Sequence, residues 1–242
     1  MSKRQEIRQR RQRERTRNRI LVIVLVTAGA LLIAFAFIRP LVLQTQANAN
    51  ATVSPVLVIT PEAITAQVDG VHLGDPNAPV KVDVYGDFRC SACKIYSLNY
   101  EPQIIQTYVD TGKVYYTFHS YLVIDGHTGS DASYRAANAA MCAAEQNRFW
   151  DYHYTLYTNQ ITEDASYFTD ERLVIMAQNL NLDMTKFNQC YQAKKYASEV
   201  EADITEAHNL NITFTPSILV NGTIVQSFDQ VSTSIDTALT GK

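Results

Sequence analysis

Cys90-Ser91-Ala92-Cys93 is the stretch of this chain whose residue types and spacing most directly imply a chemistry. Two thiols three residues apart in the first turn of a helix can close a disulfide within that turn. The first would lie at the helix N-terminus, where free N–H groups and the macrodipole stabilise a thiolate. The thiolate is the form that attacks a disulfide or leaves from one. Cys90 is therefore the expected nucleophile, and Cys93, one turn in, the expected resolving thiol. Two blander readings compete, a half zinc site and an inert structural disulfide. A structural zinc site usually needs four ligands. Cys142 and Cys190 stand 48 residues apart and form no second C-x-x-C, and no pair of histidines, His119 and His127 included, shows ligand spacing. No metal is expected. No cofactor is expected either, because two sulfurs carry the chemistry.

The elements that must position this pair can be read around it. Val80-Lys81-Val82-Asp83-Val84-Tyr85 alternates and is rich in β-branched residues, so it predicts a strand running through Gly86–Arg89 into the cysteines. Helical spacing follows, with Ile95, Leu98, Ile104, Ile105 and Tyr108 on one face. Pro102 lies inside it and should kink or restart the helix. Residues 113–124 predict a second strand, and residues 130–209 a block of helices with starts at Asp170 and Asp183. Phe149, Trp150, Tyr152 and Tyr154 are expected to pack into the core, with His153 a satisfied histidine. Residues 216–221 and 223–228, around Gly222, predict a hairpin, and 231–239 a last helix. Pro216 stands at the mouth of an apolar strand, where its missing N–H is tolerated. The Thr215–Pro216 bond can be cis because it precedes proline, although a trans proline starting a strand is the simpler reading of those residues alone. The order β, α, β, helical block, β, β, α defines an α/β fold with a helical insertion.

Charge and hydropathy divide the chain. Residues 1–39 hold ten Lys/Arg and two acids, whereas 40–242 carry a net −11. A long acidic domain offers no electrostatic footprint for nucleic acid. Ile20 to Ile38 is nineteen residues without a charge, preceded by nine Lys/Arg. At about 1.5 Å per residue a helix of that length nearly matches a hydrocarbon layer of roughly 30 Å. The basic flank predicts a cytoplasmic N-terminus. A cleaved signal peptide is the competing reading, but its apolar core would be shorter. The expected organisation is a basic tail over 1–19, a transmembrane helix over 20–38, a linker over 39–56 and an exported domain over 57–242. All four cysteines lie in that last part, and an even count there suits an oxidising compartment.

Four motifs occur in order: Asp75-Pro76-Asn77-Ala78-Pro79-Val80, Asp87-Phe88-x-Cys90-x-x-Cys93, Phe149-Trp150-x-Tyr152-His153 and Thr215-Pro216-Ser217-x-x-x-Asn221-Gly222. Together they resemble the DsbA-like branch of the thioredoxin fold over about residues 70–240. The resemblance implies a thioredoxin-like α/β fold, a central mixed β-sheet flanked by helices, with a helical subdomain inserted at about 130–209. It implies that Thr215-Pro216 is a cis-proline loop that pairs with an extended substrate segment, and that Cys142 and Cys190 are joined, as in some anchored relatives. Two departures stand out. Val84 occupies the position six before the first cysteine where many relatives carry a buried acid, and Asp87 is nearer but is read as structural. The dipeptide Ser91-Ala92 lacks the His of strongly oxidising relatives. The expected activity is that of a membrane-anchored extracytoplasmic thiol–disulfide oxidoreductase. It would introduce disulfides into exported proteins bearing cysteine pairs and be reoxidised by a membrane partner of the DsbB or vitamin K epoxide reductase-like type. The alternatives are a reductase of the same fold and a tethered binding or chaperone-like domain with a structural disulfide.

Overall fold

In the computed structural model, residues 56–58, 64–161 and 163–241 are described. Two short strands, β1 (Val68–Asp69) and β2 (His72–Leu73), lead into β3 (Val80–Gly86). The alternation of β3 sorts its side chains: Val80, Val82 and Val84 are buried on one face, and Lys81 and Asp83 point away from it. Helix α1 (Ser91–Asn99) follows, and a new helix, α2 (Glu101–Ile104), restarts around Pro102, which occupies its first turn. Helix α2 widens into a π-helical turn over Ile105–Val109 before β4 (Val114–Ser120). The strand predicted to reach residue 124 stops at Ser120. Val123 and Ile124 instead open α3 (Val123–Thr128), because the Asp87 side chain accepts the Ile124 N–H and draws the chain into a turn.

The helical elements between the fourth and fifth strands span 123–209. After α3 come α4 (Ala132–Ala144), α5 (Phe149–Asn159), a 3-10 turn (Ala165–Phe168), α6 (Asp170–Asn179), α7 (Met184–Gln192) and α8 (Ala197–Asn209). Thr169, one residue before the expected Asp170, caps α6 by accepting from the Arg172 N–H. Asp183 caps α7 through the N–H groups of Thr185 and Lys186. The chain ends with β5 (Ser217–Val220), β6 (Thr223–Ile224), a 3-10 turn (Phe228–Gln230) and α9 (Val231–Thr240). The hairpin is shorter than its apolar pattern suggested. Asn221 and Gly222, both at positive φ (46° and 79°), make the two-residue turn.

Among the described residues the sheet order is β1-β2-β4-β3-β5-β6. Strands β3 and β4 are parallel and the other pairings antiparallel, so the sheet is mixed. This is a thioredoxin-like α/β architecture with helices on both faces. The main core joins the buried face of β3 to α1, α4, α5 and α9. A smaller cluster of Tyr85, Tyr121, Ala207, Ile212 and Leu219 lies elsewhere, between the sheet and α8. Among the described residues no helix is long and apolar enough to cross a membrane. The expected tail, transmembrane helix and most of the linker, residues 1–55, lie outside the described residues.

Candidate active site

Register decides what meets the cysteines. Tyr85, next to last in β3, pairs with Ser217, the first residue of antiparallel β5. The residues just before β5 must therefore arrive where β3 runs out toward α1. The Thr215–Pro216 peptide is cis, and the Thr215 carbonyl oxygen lies 3.3 Å from Cys90 Sγ across 125 residues of sequence. Proline has no N–H, so this backbone brings no donor to the sulfurs at residue 216. The Ser217 hydroxyl donates to the Phe214 carbonyl and holds the loop. Phe214 itself is exposed.

Cys90 is the N-cap of α1, in extended conformation, and its sulfur faces the first N–H groups of the helix. The side-chain hydrogen bond with Cys93 is the largest influence on Cys90. Burial opposes it, while Thr215 and the N–H groups of Cys93 and Ala92 assist, and the thiol is brought down to about 6. Cys93 is pushed the other way, well above the ordinary thiol range, first by burial and then by its bond to Cys90. Relative exposures of 7% and 1% state the same asymmetry. Both cysteines are unbridged thiols here. Cys90 keeps a sliver of exposure and ionises easily, and Cys93 is enclosed and does not. Cys142 in α4 and Cys190 in α7 are joined at 2.02 Å, away from this pair.

Beneath the dithiol the backbone is crowded. A Cβ on Gly86 would come 2.7 Å from the Phe118 ring, so glycine lets the turn after β3 sit directly on β4. Asp87 is fully buried, and its N–H donates to Cys93 Sγ at 3.5 Å. Burial pushes its carboxyl up to about 6, against hydrogen bonds from the Arg89 and Ile124 N–H groups. Arg89, also buried, reaches Asp125 with Nη1 at 2.7 Å and the Glu163 carbonyl with Nε at 3.1 Å.

Three groupings escaped the sequence reading because their members come from different elements. Glu101, fully buried at the start of α2, accepts from Tyr116 Oη at 2.7 Å and pairs with His153 Nε2 of α5 at 2.9 Å. The Ser97 hydroxyl of α1 lies 3.2 Å from the same nitrogen. His153 is thus a core residue ringed by aromatics such as Phe88, Phe118 and Tyr157, and its place in the Phe149-Trp150-x-Tyr152-His153 motif was the available signal. The aromatic run around it is buried. The second grouping is Arg89 with Asp125. In the third, His119 of β4 lies between Asp203 of α8 (2.9 Å) and Asp83 of β3 (3.4 Å), with Glu206 at 4.0 Å. Burial works against the imidazolium there, but hydrogen bonds and charges from Asp203 and Asp83 outweigh it and raise His119 to about 9. His119, Asp203 and Glu206 have metal-ligand spacing. A cation would first have to displace that proton.

Comparison with known proteins points the same way as the dithiol. A thioredoxin family profile matches residues 66–237. A probable disulfide bond formation protein D of Bacillus anthracis is 31% identical over 170 residues, covering 69% of this chain and 77% of that protein. The crystal structure of oxidised BdbD from Bacillus subtilis superimposes with a TM-score of 0.64 at 27% identity, covering 74% of this chain and all of that one. The structure of Chlamydia trachomatis DsbA, at 21% identity and a TM-score of 0.60 over 74% of this chain and 95% of that one, shares the fold.

Proposed function

Because the chain belongs to the thioredoxin family and is a DsbA-like thiol–disulfide oxidoreductase, we propose that it hands the Cys90–Cys93 disulfide to cysteine pairs of exported proteins, outside the cytoplasmic membrane. A client thiolate attacks Cys90 Sγ. The Cys90–Cys93 bond breaks, and its electron pair passes to Cys93, which takes up a proton because burial holds its pKa above the ordinary thiol range. The client's second thiolate then attacks the client sulfur of the mixed disulfide, closing the client's own disulfide, and Cys90 leaves as a thiolate. The client loses two electrons and the dithiol gains them. A membrane partner of the DsbB or vitamin K epoxide reductase-like type accepts these electrons and restores the disulfide.

The low value at Cys90 supports donation of the disulfide. At pH 7 a thiol titrating at about 6 is held mainly as thiolate, which favours the reduced protein about tenfold over one with an ordinary thiol. For a two-electron couple that factor raises the potential by about 30 mV. A reduced form stabilised in this way makes the disulfide a better donor. The cis-proline loop at Thr215-Pro216 supplies an edge along which an extended client segment would add as a strand. The charge-free segment 20–38 and its basic flank support a tether with the N-terminus inside, and the Cys142–Cys190 bridge suits an oxidising compartment.

Two measurements on the full chain test this reading. Equilibration in graded thiol–disulfide buffers should give a potential near about −120 to −180 mV, the range of disulfide donors, whereas one near about −270 mV would make the protein a reductase. Cys90→Ser should abolish turnover, and Cys93→Ser should accumulate mixed disulfides with clients. A Cys93→Ser variant that traps nothing, or a Cys90→Ser/Cys93→Ser variant that serves clients normally, would turn the assignment toward a binding domain.

A further inference from the structure

The exchange steps above leave unused a buried group of charges that ties the dithiol to the inserted helices. Asp87 lies in the turn between β3 and α1 and is fully buried. Its Oδ1 accepts the Arg89 N–H at 2.8 Å, its Oδ2 accepts the Ile124 N–H at 2.9 Å, and its carbonyl accepts the Cys90 N–H at 3.0 Å. Its own N–H is the one directed at Cys93 Sγ. Arg89 then binds Asp125 Oδ1, and Asp125 Oδ2 accepts the Tyr134 N–H at 2.9 Å in the first turn of α4. Two carboxylates and a guanidinium thus link the turn before Cys90 to the starts of both α3 and α4.

We propose that Asp87 is a positioning residue for disulfide exchange: its carboxylate locks the turn over residues 86–90 against α3 and so aims its own backbone N–H at Cys93. This rests on the dithiol acting as proposed above. When a client thiolate bonds to Cys90 Sγ, the Cys90–Cys93 bond breaks, the electron pair moves to Cys93, and a proton from water follows. An N–H donor directed at that sulfur, as it is in the dithiol, stabilises the charge that collects there, as donors in an oxyanion hole do. Proline at this position would remove the N–H together with the carboxylate, so the carboxylate that orients it is the group to change.

The groups facing Asp87 come from each element packed on it. They are the Arg89 N–H of its own turn, Ile124 N–H and Asp125 of α3, Ser133 of α4, Tyr157 of α5 (3.4 Å to the Asp87 carbonyl) and Cys93 of α1. Its carboxyl titrates at about 6. Above that pH both oxygens accept, and below it a protonated oxygen releases one bond and the turn slackens.

The oxidised full chain is mixed with glutathione between pH 5 and 8, quenched in acid, and its reduction followed by mass, with rates expressed per glutathione thiolate. Wild type should slow about threefold from pH 7 to pH 5, and Asp87→Asn should be about fivefold slower than wild type at pH 7 and flat with pH, the scale of one hydrogen bond. An Asp87→Asn variant with the wild-type rate and profile overturns the positioning role while leaving the oxidoreductase reading intact. A wild type inert to glutathione sinks both. If Asp87→Asn lacks a cooperative thermal transition, the carboxyl of Asp87 is titrated by 13C NMR in oxidised and reduced wild type. Its midpoint in the oxidised protein should coincide with the midpoint of the wild-type rate profile. Midpoints about one pH unit or more apart overturn the proposal.

Discussion

Cys90 and Cys93 are one residue type, and the fold carries the difference expected from their places in the helix to opposite extremes. Cys90 sits where helix N–H groups and the Cys93 thiol surround it, whereas Cys93 is enclosed and its charge finds little support beyond the Asp87 N–H. The consequence is measurable on the reduced protein. The rate of Cys90 alkylation by iodoacetamide should rise with pH through a midpoint at about 6, and Cys93 should stay unmodified until the protein unfolds. A Cys90 midpoint above pH 8 would contradict this. The sign for stability follows from the same depression. Cys90 titrates lower in the fold than its ordinary 9.0, so its contribution to the reduced state is complete above pH 9 and disappears as the pH falls through about 6. The reduced protein should therefore gain in melting temperature relative to the oxidised form between those values.

Between elements, two fastenings hold the helical insertion, and each makes its own prediction. The Cys142–Cys190 bridge ties α4 to α7 across 48 residues. On the chain-entropy account, a loop of this length is worth about 4 kcal/mol. A Cys142→Ala/Cys190→Ala variant should therefore melt at a lower temperature while its Cys90–Cys93 couple keeps the wild-type potential. An unchanged melting temperature would remove the bridge from any role in stability. The second fastening joins β4 to α8 through His119 and Asp203, whose other oxygen accepts the Ser120 N–H at 2.8 Å. His119 is raised above its ordinary 6.5 to about 9. Its stabilisation is fully present below pH 6.5 and is lost as the pH climbs through 9. The oxidised protein should lose melting temperature over that interval, and His119→Asn should flatten the decline. A decline as steep in the variant would show that other groups cause it.

At the scale of the whole molecule, charge and hydropathy matter more than individual contacts. Residues 40–242 carry −11, and a basic tail precedes an uncharged apolar segment, the asymmetry on which the proposed tail-inside topology rests. The proposed topology predicts that, after mild reduction of intact bacterial cells expressing the full chain, a membrane-impermeant maleimide labels Cys90. Labelling that appears only after lysis would place the dithiol on the cytoplasmic side. The acidic surface also predicts that nucleic acid is not retained at physiological salt.

What the sequence determined by itself was local. Alternation in 80–85 marked the central strand, the C-x-x-C spacing marked a redox pair, Pro102 marked the break between α1 and α2, and the uncharged run at 20–38 marked a candidate anchor. Each depends on neighbours a few residues away, which is the range over which periodicity and backbone propensity act. Where tertiary contacts compete with such patterns, the pattern lost: residues 121–124 read as strand but turn away because Asp87 captures the Ile124 N–H. The meeting of Thr215 with Cys90 was implied by the family resemblance and is realised through the register of β3 and β5. Only the tertiary structure decided that Asp87 lies beneath Cys93 and that Glu101 shares its carboxylate with His153. It also decided the ionisation of Cys90, because the acidity of a group is set by burial and by the charges and donors that surround it. Those arrive through strand register and helix packing from residues far off in the chain.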